Sequence, residues 1–323
     1  MGPFRARCYT RVHMCKTSLL AGLEAVNRVS GKFPEWLRRL WASGADYEFT
    51  KDVVDLLKLH TVCQSARCPN LAECWSRRTA TMMVLGNTCT RNCSFCSVPS
   101  GKPEALDAEE PQRVAEAVLK MGLKHTVVTT VVRDDLPDGG TGHIAETIRA
   151  IRRESPGTTI EILVSDYRAD AAAIKTIVDA GPEVFSHNIE TVERLYPVVR
   201  DRRFTYAGSL KVLELARAAS DGVIVKSAMM VGHGETDADV EQTLRDLYAA
   251  GCEAVCIGQY LRPSLKQREV ESYVPPERFE AYEALAYEIG FGFAVAGPFV
   301  RSSYKSEAVL EAPFARARLA GVG

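Results

Sequence analysis

Six of the ten cysteines fall between Cys63 and Cys96, and they fall as two separate triplets. Cys89, Cys93 and Cys96 make a C-x3-C-x2-C unit, and Cys63, Cys68 and Cys74 make a C-x4-C-x5-C unit. Each offers three thiolates to one centre, one fewer than a closed zinc site or a structural cubane cluster takes. A missing ligand keeps a position open for something else to bind. Zinc modules usually carry paired C-x2-C knuckles, and only Cys93 and Cys96 are spaced that way. Six thiols on a polar, arginine-containing background also argue against inert buried cysteines. Both triplets therefore read as iron–sulfur ligands. Pro69 and Asn70 favour a turn that folds the chain back around the first centre. Cys252 and Cys256 flank an apolar run and read as core, and Cys8 and Cys15 receive no assignment.

The elements that must position these ligands alternate along the chain. A helical amphipathic stretch from Phe49 to Leu59 precedes the cysteines. Short β-branched runs then start at residues 79, 125, 159, 183, 222 and 254, with 293–298 following. Helical patterns lie between them, at 111–122, 142–154, 170–181, 208–219, 237–251 and 275–290, several closing on glycine (Gly122, Gly181, Gly251, Gly290). Apolar runs without strict alternation, each followed by a helix, imply parallel strands buried on both faces. Six such βα units predict a barrel or partial barrel of the TIM type, with a doubly wound sheet as the competing architecture. In both, ligands sit at the carboxyl ends of the strands. The second triplet starts three residues past Gly86, on the loop after the first run, and so belongs at that end.

Length and composition set the outer limits. A chain of 323 residues with 46% hydrophobic residues buries a substantial core, as one large domain or two ordinary ones. A formal net charge of −1 gives no sign of a nucleic-acid or membrane-surface binder. No apolar run approaches the roughly 18 residues of a membrane span. The first residues are basic (Arg5, Arg7, Arg11, Lys16) with no acid before Glu24 and no apolar secretion core. They read as a short basic tail, with Met14 as a possible true start, or as an organelle transit peptide. The cysteines imply a reducing compartment.

The C-x3-C-x2-C unit after a first barrel strand resembles the signature of the radical S-adenosylmethionine superfamily. The second, upstream triplet narrows the resemblance to the lipoyl synthase family, over nearly the whole chain beyond about residue 32. Residues 59–75 carry it, with the run 133–140, His187–Thr191, 234–240, 257–264 and Val300-Arg301-Ser302-Ser303-Tyr304. The resemblance implies a partial (β/α)6 barrel at 79–300. It also implies an N-terminal extension at 1–78 with the auxiliary cluster motif, and a C-terminal segment at 301–323 with R-S-S-Y, the two extensions covering the open mouth. It implies that Cys89, Cys93 and Cys96 hold a [4Fe–4S] cluster whose open iron binds S-adenosylmethionine, cleaved on reduction to a 5′-deoxyadenosyl radical. Cys63, Cys68 and Cys74, with Ser303 as fourth ligand (Ser302 being the alternative), would hold an auxiliary [4Fe–4S] cluster. That cluster would be spent as sulfur donor at carbons 6 and 8 of an octanoyl chain on a carrier-protein lysine. The implied partners are an octanoylated lipoyl carrier, either a glycine cleavage H protein or an E2 lipoyl domain, and a ferredoxin or flavodoxin, in the cytoplasm or in a mitochondrial or plastid matrix.

Further contacts follow from the same resemblance. Gly139 and Gly140 match a glycine-rich turn that meets the methionine amino group, and a turn needing positive φ is the other reading, compatible with the first. Asn188, Glu190 and Lys226 are expected against the adenosyl or methionyl part, with a satisfied strand-end hydrogen bond as the alternative. Arg301 is expected to orient the R-S-S-Y loop or meet substrate. Three residues depart from the family pattern: Asn87 before the radical triplet, Val132 in place of a carboxylate, and His233 where leucine is common. Biotin-synthase-like and methylthiotransferase-like enzymes lack the pairing of the upstream triplet with R-S-S-Y. A non-catalytic metal protein would use both triplets as structural sites.

Overall fold

The computed structural model describes residues 27–28, 34–37 and 44–320. The basic tail with Met14, Cys8 and Cys15 lies outside the described residues. In chain order the strands are β1 (Asn27–Arg28), β2 (His60–Thr61), β3 (Met82–Val84), β4 (His125–Thr130), β5 (Thr159–Leu163), β6 (Val184–Ser186), β7 (Ile224–Val231), β8 (Ala254–Gln259), β9 (Ser272–Tyr273) and β10 (Phe293–Gly297). The α-helices are α1 (Ala45–Leu56), α2 (Val62–Ser65), α3 (Leu71–Trp75), α4 (Glu110–Met121), α5 (Thr141–Glu154), α6 (Ala171–Val178), α7 (Tyr196–Val199), α8 (Tyr206–Ala219), α9 (Asp237–Ala249), α10 (Pro276–Ile289), α11 (Ala308–Glu311) and α12 (Pro313–Ala320). Each of the seven β-branched runs holds a strand, and each helical pattern holds a helix.

Among the described residues one sheet runs in the order β2-β3-β4-β5-β6-β7-β8-β10. Only β2 is antiparallel to its neighbour, and every other pairing is parallel, as right-handed βα crossovers require. The order has two ends, so the sheet is an open, partial barrel and not a closed one. The six expected βα units are followed by the seventh parallel strand, β10, at one edge. Helix starts are fixed locally: Asp170 accepts from the backbone of Ala172 and Ala173, and Thr236 and Asp239 form a reciprocal capping box on α9. Gly122 ends α4 in the left-handed conformation at φ 65°.

The two faces of the sheet are packed differently. Outward residues such as Val128, Ile162, Phe185, Val225 and Val255 join the helices in one continuous core. On the concave face the amino ends of three strands present Val184, Ile224 and Ala254, and these meet Val309, Ala312 and Ala315. The C-terminal helices thus fill the hollow of the half-barrel, as well as the segment before them covering its mouth. Above that plug Glu161, Ser186 and Lys226 form a polar layer, and above it Ala228 and Cys256 pack on Val300. Cys252 and Cys256 are buried, as their apolar surroundings predict.

Two tight points generate predictions. A Cβ added at Gly258 would fall inside the van der Waals radius of the Val300 carbonyl oxygen, so only glycine lets the C-terminal segment lie against β8. Gly258→Ala is expected to cost at least about 2 kcal/mol, read as a fall of several degrees in Tm. His233 is fully buried against Tyr260, ring centroids 4.2 Å apart, and neither ring nitrogen has a partner among the described residues. Burial, then the charge of Arg268, pushes its pKa down from 6.5 to about 3. The unfolded chain therefore binds a proton that the folded one refuses, and stability falls as pH drops from 6.5 toward 3. His233→Leu is expected to raise Tm by an equivalent of about 1 kcal/mol and to flatten that part of the acid arm. Thermal melts between pH 7 and pH 4 check both.

Candidate functional site

A cavity of about 870 Å³ opens at the carboxyl ends of the strands. Its wall includes Cys89, Cys93 and Cys96 on one side and Cys63 and Cys68 on another. One chamber therefore touches both triplets. A second, smaller cavity is lined by Cys63, Cys68 and Cys74 together with Arg301, Ser303 and Tyr304.

The radical-type triplet is held by its own loop and by neighbouring strand ends. The amide of Cys89 donates to the Pro99 carbonyl, and the amide of Gly101 returns to that of Cys89. The sulfurs of Cys89 and Cys93 accept from the amides of Arg91 and Asp201, both at 3.4 Å. Arg91, between the first two cysteines, is the main fastening. Its guanidinium is buried, binds Asp134 beyond β4 and Asp166 beyond β5, and lies 4.1 Å over the Phe204 ring. Two strand ends are thereby pinned to the loop that follows β3. Arg133 does the same one layer out, donating to the carbonyls of Leu85 and Glu104.

The upstream triplet is built from short helices and a turn. Cys63 lies in α2, which Thr61 caps, and Cys74 lies in α3, with Cys68 between them. The amide of Cys68 donates to Cys63, and that of Cys74 to Asn70. Asn70 also reaches across the molecule, its Nδ2 donating to the Phe299 carbonyl at 2.7 Å. Tyr304 donates its hydroxyl to Glu73 at 2.8 Å. Two hydrogen bonds thus dock the R-S-S-Y loop onto the first triplet, and Ser303, not Ser302, shares the small cavity with all three of its thiols.

These donor sets fit iron–sulfur clusters. All eight described cysteines are free thiols. Burial, then the nearby Cys68 thiol, pushes the Cys63 pKa up to about 11. Burial and its companion thiols push Cys74 up to about 12, and Cys96 rises to about 12 for the same reasons. Thiols gathered where their own anions are penalised are thiols awaiting a cationic centre. The larger cavity also carries orphaned polar atoms suited to a polar ligand: Asn188 Oδ1 and Arg200 Nε have no partner among the described residues. Glu190 stands there at φ 68°, a strained backbone for a non-glycine residue, with Arg200 at 3.7 Å and Asn188 Nδ2 at 3.2 Å. Burial raises the Glu190 pKa against the opposing pull of Arg200.

The expected contacts divide accordingly. Asn188, Glu190, Arg301, Ser302 and Ser303 all line the large cavity. Lys226 does not. Its ammonium is spent on Glu161 and on the Ser302 carbonyl, below the cavity floor. Nor do Gly139 and Gly140 reach it. Both have positive φ and pack on Tyr167 and Leu85, and the Asp138 carboxylate accepts from the amides of Gly140 and Gly142. Lys226 thus makes the satisfied strand hydrogen bonds, and Gly139 and Gly140 form the positive-φ turn. Of the departures from the family pattern, Asn87 is exposed, Val132 lines the cavity and His233 is sealed in the core. Arg91 and Arg200 were not singled out from the sequence. The signal for Arg91 was its place inside the triplet, whereas Arg200 sits in an ordinary-looking VVRDRR run.

Comparison with known proteins agrees with this geometry. Residues 83–247 match the model of the radical SAM superfamily. A lipoyl synthase of Rubrobacter xylanophilus is 51% identical over 84% of this chain and 84% of its own. One of Thermus thermophilus is 49% identical over 85% of this chain and 86% of its own, and one of Myxococcus xanthus 48% identical over 90% and 98%. Among solved structures, the FeFe-hydrogenase maturase HydG from Carboxydothermus hydrogenoformans shares the fold with a TM-score of 0.54 and 15% identity, over 86% of this chain and 70% of that one. With two cysteine triplets on one chamber, an R-S-S-Y loop docked on the upstream one, and these relatives, the chain belongs to the lipoyl synthase family of the radical SAM superfamily.

Proposed function

We infer that this protein is a lipoyl synthase, an enzyme that inserts two sulfur atoms at carbons 6 and 8 of an octanoyl chain amide-linked to a lysine of a carrier protein. The observation that carries the reading is the single chamber on which both cysteine triplets open. Cys89, Cys93 and Cys96 would hold one [4Fe–4S] cluster, and Cys63, Cys68, Cys74 and Ser303 the auxiliary one. When bound, the clusters and S-adenosylmethionine supply a 5′-deoxyadenosyl radical and the sulfur atoms.

The chain's own residues bind, orient and exclude water. Arg91 keeps the radical triplet at the strand ends by its bonds to Asp134 and Asp166. Asn188, Glu190 and Arg200 present a polar wall of both charges, suited to an amino acid and a ribose. Val131, Val132, Leu163, Met230 and Leu261 give the same chamber an apolar side that fits an octanoyl chain. Enclosure matters because a primary carbon radical abstracts hydrogen from whatever lies nearest. A serine oxygen is a hard ligand on a soft centre, and therefore an exchangeable one, as a consumed cluster needs. Arg301, lining both cavities, is placed to orient the serine loop or meet the incoming chain.

The division into an N-terminal extension (1–78), a partial barrel (79–300) and a C-terminal segment (301–323) follows these roles. The carrier is an H protein or an E2 lipoyl domain, the electron donor a ferredoxin or flavodoxin, and the compartment a reducing one, cytoplasmic or matrix.

Anaerobically reconstituted protein is expected to carry about eight irons per chain. With an octanoyl-lysine peptide, mass spectrometry should show addition of two sulfurs. Cys68→Ala should keep cleavage of S-adenosylmethionine yet lose at least ~100-fold of the lipoyl product, whereas Cys93→Ala should lose both to a similar degree. Sulfur insertion by Cys68→Ala would overturn the donor assignment, and zinc in place of iron would overturn the reading altogether.

A further inference from the structure

Lys226 is fully buried on β7, and neither cavity reaches it. Its Nζ donates to the two oxygens of Glu161 at 2.9 and 2.8 Å, and to the main-chain carbonyl of Ser302 at 2.7 Å. An ammonium has three N–H bonds, so two neutralise a carboxylate and the third leaves the barrel wall for the R-S-S-Y loop. Glu161 is itself fixed by Ser186 Oγ at 2.7 Å and faces His125 Nε2 at 3.8 Å. Burial disfavours charge on both partners, but their mutual attraction outweighs it: the Lys226 pKa ends above its ordinary value and that of Glu161 below. The pair is thus a charged strut spanning β5 and β7, with its free end on the residue before Ser303.

We propose that Lys226 is a positioning residue for the auxiliary centre, holding Ser303 at the first cysteine triplet through the neighbouring Ser302 carbonyl. This rests on the reading of Ser303 as a cluster ligand. The tether grips main chain and leaves the Ser303 hydroxyl untouched. The side chain can then leave its iron by rotation while the loop stays seated, and return without a search. A tether on the hydroxyl itself would compete with the metal. Asn70 holds the same loop from the Phe299 carbonyl, so the serine is bracketed from both sides.

Lys226→Met alone would strand a carboxylate in the core, so the test variant is Glu161→Met with Lys226→Met, which exchanges the pair for apolar side chains of similar length. It is compared with Ser303→Ala in reconstituted, 57Fe-labelled protein. The readouts are the Mössbauer signal of an oxygen-ligated iron, amide hydrogen exchange across residues 299–304, and 5′-deoxyadenosine formed from S-adenosylmethionine. The double variant is expected to form 5′-deoxyadenosine within about twofold of the parent, to lose the oxygen-ligated signal as Ser303→Ala does, and to exchange at 299–304 about tenfold faster or more. Loss of the signal in Ser303→Ala but not in the double variant, with exchange unchanged, overturns the tether and leaves the ligand reading standing. Persistence of the signal in Ser303→Ala overturns both. Should the double methionine variant fail to fold, Glu161→Gln with Lys226→Gln keeps a side-chain hydrogen bond, falls short of Ser302, and is judged by the same outcomes.

Discussion

A parallel sheet that stops short of closing leaves a hollow whose inner face must be covered by something other than more sheet. Here the chain covers it with its own C-terminus. Helices α11 and α12 lie on Val184, Ile224 and Ala254, Val300 lies on Ala228 and Cys256, and the R-S-S-Y loop surfaces at the mouth. The rest of the architecture answers to that path. Gly258 exists without a side chain because the segment passes there, and the lumen carries a charged layer that holds the segment by its backbone. The upstream cysteines gain their oxygen neighbour only because the segment emerges beside them.

Charge is managed by the same economy of placement. Cys63, Cys74, Cys93 and Cys96 sit where burial penalises their anions, and fixed guanidinium groups stand near the radical triplet. Arg200 lies beside Cys93 and Glu190, stacked 3.6 Å over Phe204, and Arg91 is clamped between two aspartates. Stacking gives each arginine an apolar face to bury while its edge stays available for hydrogen bonds. The chamber is thereby polar beside the radical triplet and again at Arg67, Arg301, Ser302 and Ser303, with an apolar stretch through Val131, Val132, Leu163, Met230 and Leu261.

The alternation of β-branched runs and helices was legible because its period is local, and so were the triplets, whose ligands lie within a dozen residues of one another. What was not legible depends on register between distant strands. The family resemblance puts Lys226 against the cofactor, whereas its carboxylate partner is on β5, sixty-five residues earlier, out of reach of any local pattern. Gly139 and Gly140 have the positive φ expected of their turn, and their close packing on Tyr167 and Leu85 depends on residues far away in sequence. Ser302 and Ser303 differ by a single residue of loop register, and Ser303 is the one that lines the small cavity with Cys63, Cys68 and Cys74. Arg200 carries no motif at all. Its role arises from Phe204 and Glu190 meeting it in space.

The contacts that seat the R-S-S-Y loop join residues 229 and 231 positions apart. On the ribosome the upstream cysteines are made early and wait, exposed, while nearly the whole barrel is synthesised. Their oxygen neighbour and the plug of the lumen follow only after the barrel strands. The surroundings of the upstream triplet are therefore completed only once the barrel strands have been made. Until then the chain carries three thiols without the loop that completes their surroundings, an interval in which they are open to oxidation.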